Sequence, residues 1–264
     1  MTFHDWIYSN YPDFGVAINK QWGLLHILTL LVCILVPTIL GLTVRKKDVK
    51  TRQNVILAFA GAILLFELTR RVINLSREGE YTLNRILGTL LPRPWCAISC
   101  WMIMITALVK KKFLYNFTAA TAFLNALIFF AYPSVGFDGR YIVFENVYSI
   151  CTHSLLLLSA LSMLTLGLTD FKYKNPTFKD GALKELLCLV FTFAYAFIEI
   201  YLLKIEPDPL YFLPGNEAME ILGLPYPAYL AVYIVFLIVY YNLYYLVPIL
   251  WAKWKTRKAE TKIA

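Results

Sequence analysis

The chain has 264 residues, 59% hydrophobic and 16% charged, with a mean hydropathy of +0.60 and a formal net charge of +8. A soluble domain carries roughly 25% charged and 45–50% apolar residues, so this composition excludes an ordinary cytosolic enzyme, a disordered chain and a secreted disulfide scaffold. It fits an all-α polytopic membrane protein, because a crossing takes about 20 residues and seven would use about half the chain.

Seven apolar stretches occur in chain order, and they predict helices over 22–44, 53–73, 94–109, 113–131, 143–169, 183–203 and 226–251, within one transmembrane domain covering 1–264. The first is not a cleaved signal peptide, since it follows a tail with Asp5 and Asp13, lacks a basic n-region and is too long. The third begins at Pro94, a residue suited to the first turn of a helix. Before it, 77–92 turns from polar to apolar (Ile86, Leu87, Leu90, Leu91), and both an interfacial and a re-entrant path stay open. Between the last two stretches, Pro207, Pro209, Pro214, Pro225 and Pro227 favour a stiff, non-helical cover.

Lysine and arginine set the orientation. Seventeen of the 25 basic residues fall on one side: in the first loop (Arg45, Lys46, Lys47, Lys50, Arg52), the third (Lys110, Lys111, Lys112), the fifth and the tail. Basic residues gather on the cytoplasmic side, which puts the amino terminus outside and the carboxyl terminus in the cytoplasm of a multi-pass cell-membrane protein. The same excess is no sign of nucleic-acid binding, because no basic domain exists in which it would sit.

An ionisable residue within a membrane is costly and marks a candidate site. On this topology His26, Glu67, Arg70, Arg71, Arg93, Cys96 and Glu199 all belong to the outer half. Asn146, Ser149 and His153 recur at three and four residues and so share a helix face, as do Thr118, Thr121 and Asn125, and Thr192, Tyr195 and Glu199. One reading treats these groups as interhelical hydrogen bonds and a Glu67–Arg70/Arg71 ion pair. The other joins them in an outward-opening cavity, which explains their confinement to one half.

Cys96 and His153 are the sharpest pair there. A thiolate is a strong nucleophile near neutral pH and a histidine can take its proton; Arg93 and the start of a helix would favour the thiolate. The arginines also suit a lipid phosphate or a developing oxyanion. Cys96, Cys100 and His153 with His26 or Glu199 would alternatively make a zinc site, and His26 with His153 a haem site, though nothing else marks a haem pocket. The five cysteines lie in apolar runs and imply no disulfide framework.

His26, Glu67, Leu91-Pro92-Arg93-Pro94-Trp95-Cys96, Tyr132-Pro133, Ser149, His153, Tyr211-Phe212-Leu213 and Gly223-Leu224-Pro225-Tyr226-Pro227 together carry a resemblance. The chain resembles the YwaF-type bacterial integral membrane family, whose eukaryotic relatives include a transmembrane lipid acyltransferase. Two positions depart from that pattern: Trp95 stands where the family tends to have histidine, and Leu210 precedes Tyr211 where it has asparagine.

The resemblance implies a Cys96–His153 catalytic pair. Residues and resemblance together lead to the expectation of a seven-helix lipid acyltransferase with Cys96, His153 and Glu67 in the chemistry. Glu67 or Glu199 would orient the histidine, or pair with an arginine. His26, Arg70, Arg71, Arg93, Asn146, Ser149, Glu199 and Tyr211 would bind substrate. Membrane phospholipids are the expected partners, no metal or cofactor is expected, and self-association stays open. The alternative is a transporter or lipid-binding protein without chemistry, hinged at Pro37 and Pro248.

Overall fold

The computed structural model describes residues 3–8, 22–76, 81–92, 95–132, 134–137, 142–169, 177–203, 211 and 213–260, and every regular element among them is helical. In chain order these are α1 (Phe3–Tyr8), α2 (Leu24–Thr43), α3 (Val49–Ser76), α4 (Leu83–Leu90), α5 (Trp95–Val109), α6 (Lys112–Ala131), α7 (Ser134–Phe137) and α8 (Phe144–Thr165). They continue with α9 (Thr177–Phe197), which passes into a π turn at Ile198–Leu202, then α10 (Glu217–Leu222) and α11 (Tyr226–Glu260). The chain divides into two units, Met1–Thr169 and Asp170–Ala264.

Each of the seven apolar stretches is a helix, but hydropathy marked the ends poorly. α3 starts at Val49 and α11 runs to Glu260 because Lys, Arg, Ala and Glu are good helix formers, so a helix outlasts its apolar run. Among the described residues, five helices are long and apolar enough to cross a membrane: Leu24–Thr43, Lys112–Ala131, Phe144–Thr165, Lys184–Leu202 and Tyr226–Leu246. α4 and α5, bent by 59° to one another, make a sixth if they form one broken crossing. α3 carries Arg52, Glu67, Arg70 and Arg71 and is not among them.

In the first unit α8 is central: α2, α3, α5 and α6 all pack against it, while α5 also packs against α3 and α6. Without water to exclude between helices, close van der Waals approach through small residues holds such a bundle. Ala107, Ala119, Ala120, Ala122, Ala126 and Ala160 are fully buried. At Gly41 a Cβ would meet Thr165 Cβ at 2.9 Å, so the missing side chain lets α2 and α8 approach. The opposite face of α2 (Leu24, Leu28, Leu31, Leu35, Leu42) is exposed and apolar, as a lipid-facing surface is. Hydroxyls within the apolar helices turn back on their own carbonyls, Thr29 to Leu25 and Thr38 to Ile34.

Capping sets several helix starts. Asp48 precedes α3, and its carboxylate accepts from Thr51 N at 2.9 Å and Thr51 Oγ1 at 2.5 Å. These two bonds hold the Asp48 carboxyl below the usual carboxylate range. α4 falls within 77–92, where Thr82 accepts from Arg85 N at 3.3 Å. The segment 206–227 is not wholly non-helical as expected. Asn216 accepts from Met219 N at 2.9 Å to start α10, Gly223 ends it at φ +61°, and Pro214 and Pro225 flank the helix without interrupting it.

Candidate functional site

The antiparallel run of α3, α5, α6 and α8 brings the end of α3, the start of α5, the end of α6 and the start of α8 to one end of the first unit. Most of the predicted site residues of that unit meet there. Glu67 is fully buried and accepts from the Arg71 guanidinium and from the Tyr148 hydroxyl. Arg71 also donates through Nε to the Leu90 carbonyl at 3.1 Å and lies over the Trp101 ring at 5.4 Å. One side chain therefore joins α3, α4 and α5.

The two arginines part company, so the single Glu67–Arg70/Arg71 pair of the sequence reading is divided. Arg70 Nε lies 3.5 Å from Glu145 Oε2, and its guanidinium sits over the Tyr148 ring at 4.7 Å. Tyr148 thus offers its hydroxyl to Glu67 and its face to Arg70. A buried ion pair recovers its desolvation cost only when its remaining polar atoms are bonded, and Tyr148 supplies one of those bonds.

Cys96 lies in the first turn of α5, half-buried, with a free thiol. The turn is fixed by Asn125 on α6, whose amide donates to the Trp95 carbonyl at 3.2 Å and to Ser99 Oγ at 2.6 Å. Lower on the same pair of helices, Thr106 and Thr118 share a hydroxyl bond of 2.7 Å. Thr118 and Asn125, grouped on one face by sequence, therefore bond α6 to α5.

His153 is placed by two contacts. Its Nδ1 faces the Ser149 carbonyl at 2.7 Å, and its ring stacks on Phe129 with centroids 3.9 Å apart and planes within 8°. A carbonyl only accepts, so Nδ1 carries the proton and the neutral ring keeps Nε2 as a base. The group orienting His153 is thus the Ser149 carbonyl, while Glu67 takes the arginine role. No hydrogen bond among the described residues joins Cys96 to His153.

His26 is fully buried in an aromatic box, 4.7 Å from Trp22, 4.6 Å from Phe137 and 5.8 Å from Phe130 between ring centroids. The Trp22 backbone N–H donates to its Nδ1 at 3.2 Å. Phe137 in turn lies 5.7 Å from Phe129, so two phenylalanines separate the two histidines. Gly136 makes this possible: a Cβ there would meet the Phe129 ring at 2.5 Å. Asn146 closes the turn into α8, accepting from Val143 N at 3.1 Å and donating to the Gly136 carbonyl at 3.4 Å.

Glu199 and Tyr211 belong to the second unit. Glu199, in the π turn, accepts from the Tyr195 hydroxyl at 2.5 Å. Tyr211 has φ +56°, and its carbonyl accepts from Tyr229 at 2.5 Å and Asn216 at 3.2 Å, so its backbone anchors a loop. Arg93 lies outside the described residues. The sequence reading missed Tyr148, Glu145, Trp101 and Phe129; only Glu145 and Tyr148 left a signal, at a helical spacing of three on α8. Among the described residues no three His, Cys, Asp or Glu side chains gather as a metal donor set, so the zinc reading of Cys96, Cys100 and His153 gains no ligands.

Fold and site together define a multi-pass α-helical membrane protein with a buried charge network at one end of its first unit. A family model described as the TMEM164 family matches residues 18–245, and the chain belongs to that transmembrane family. No curated protein matches the chain, and no solved structure does.

Proposed function

We propose that the chain is a lipid acyltransferase of the cell membrane, with Cys96 as nucleophile and His153 as general base. The observation that carries the reading is the Ser149 carbonyl on His153 Nδ1, which leaves Nε2 basic on a helix packed against the one bearing the Cys96 thiol. The sequence resemblance to a family with an acyltransferase branch supports the same pair. Catalytic hydrogen bonds commonly form only once substrate is bound, and Cys96 would approach Nε2 directly or through one water.

In the first half-reaction the Cys96 sulfur attacks the ester carbonyl of a phospholipid while its proton passes to His153 Nε2. The tetrahedral adduct collapses, the lysophospholipid oxygen leaves with that proton, and a thioester remains on Cys96. In the second, Nε2 takes the proton of an acceptor hydroxyl, whose oxygen attacks the thioester. The Cys96 thiolate leaves and recovers the proton. Arg70, steadied by Glu145 and Tyr148, suits a head-group phosphate. In this reading His26, Asn146 and Ser149 build the walls of the site, and Arg71 and Glu67 brace it.

The proposed topology has seven crossings, an outer amino terminus and a cytoplasmic carboxyl terminus. α3 is the seventh: its 28 residues span about 42 Å, more than the roughly 30 Å of hydrocarbon, and the buried Glu67–Arg71 pair accompanies it. Transfer of a labelled acyl chain between phospholipids in proteoliposomes tests the function. Cys96→Ala and His153→Ala should each abolish it, and transfer unchanged in both would exclude this mechanism. The competing reading, a lipid-binding protein without chemistry, draws on Arg71 and Tyr148 both donating to Glu67, as structural glue would. Lipid binding in the absence of any transfer by the parent protein would favour it.

A further inference from the structure

The end of the first unit opposite Glu67 gathers a second pair of cations. Gly167 follows α8 with φ +66°, and the point where a side chain there would begin is 3.7 Å from an Arg52 terminal nitrogen and 3.8 Å from Arg45 Nε. One arginine comes from the α2–α3 turn and the other from the first turn of α3, and both converge on the end of α8. Arg52 donates through that nitrogen to the Leu166 carbonyl at 2.8 Å, matching the negative end of the α8 dipole. Its Nε is buried without a hydrogen-bond partner.

No carboxylate among the described residues pairs with either arginine. Asp48, the acid closest in sequence, has both oxygens committed to Thr51. Like charges drawn to one point repel each other, and a buried N–H without an acceptor is costly. An anion with several acceptor oxygens answers both, and a phosphate fits the planar guanidinium fork. The pair sits where α2, α3 and α8 all reach their ends, the level of lipid head groups for helices that cross a membrane.

We propose that Arg45 and Arg52 form a binding site for a phosphate-bearing anion, separate from the Cys96 end and independent of any chemistry there. A membrane-lipid head group and free phosphate share this chemistry. The full-length protein in detergent is examined by native mass spectrometry with phosphatidylglycerol, and inorganic phosphate is added in a second arm as competitor. The expected result is a phosphatidylglycerol adduct whose apparent Kd rises about fivefold in Arg45→Gln, and further in Arg45→Gln/Arg52→Gln, while Lys46→Gln leaves it nearly unchanged. Displacement by inorganic phosphate assigns the site to the free anion, and persistence assigns it to the lipid. Among the described residues Arg45 makes no side-chain hydrogen bond, so its single variant carries the test even if the double variant does not fold. Unchanged affinity in Arg45→Gln, or an equal loss in Lys46→Gln, overturns the proposal.

Discussion

Glu67 holds the charge balance of the Cys96 end. Removing it leaves Arg71 buried and ionised, so Glu67→Ala should cost about 3 kcal/mol of stability, read from reversible unfolding in mixed micelles. Glu67→Ala/Arg71→Leu should be less destabilised than the sum of the single variants, and strict additivity would contradict the pairing. At the other end Asp48 gives a pH signature. Its folded pKa is depressed below the usual 3.8, so its contribution is complete above that value and disappears as pH falls through the lower folded one. Asp48→Asn should flatten the acid limb of a stability–pH profile below about pH 4; an unaltered limb would contradict the cap.

At the same scale, Glu67 and Arg71 were legible as partners because four residues separate them on a helix. Tyr148 was not. It lies one position from the Asn146–Ser149–His153 face, and only the packing of α3 on α8 brings its hydroxyl to Glu67. His153 was legible as a functional candidate. Its orientation depends on Phe129 from another helix, which periodicity within a single segment does not reveal.

Among the elements, the short α7 shapes the His153 wall through Gly136. Gly136→Ala would drive a methyl into the Phe129 ring, displacing the surface on which His153 stacks. Overpacking of this kind costs about 1–3 kcal/mol, so the variant should lose both stability and acyl transfer, and Phe129→Leu should restore stability in that background. If Gly136→Ala behaves like the parent in thermal unfolding, the stacking account is wrong. Hydropathy found the long helices because lipid contact requires unbroken apolar runs. It missed α10, whose six residues are set by Asn216 and Gly223 between prolines that read as helix breakers.

Across the whole molecule, the low charged fraction separates into two populations: charges in the loops, and a few buried ones with defined partners. The proposed orientation predicts that, in sealed right-side-out vesicles, Lys47→Cys and Lys111→Cys react with an impermeant maleimide only after permeabilisation, whereas Tyr81→Cys reacts at once. The reverse pattern would invert the topology and move Cys96 to the cytoplasmic side.

The central claim is that Cys96 carries an acyl group during turnover, and intact-protein mass spectrometry after incubation with a phospholipid tests it directly. The account predicts an added acyl mass that maps to Cys96, is released by neutral hydroxylamine, and is lost in both Cys96→Ser and His153→Ala. Efficient acyl transfer with no acyl mass on Cys96, or an adduct of equal yield in His153→Ala, would contradict it.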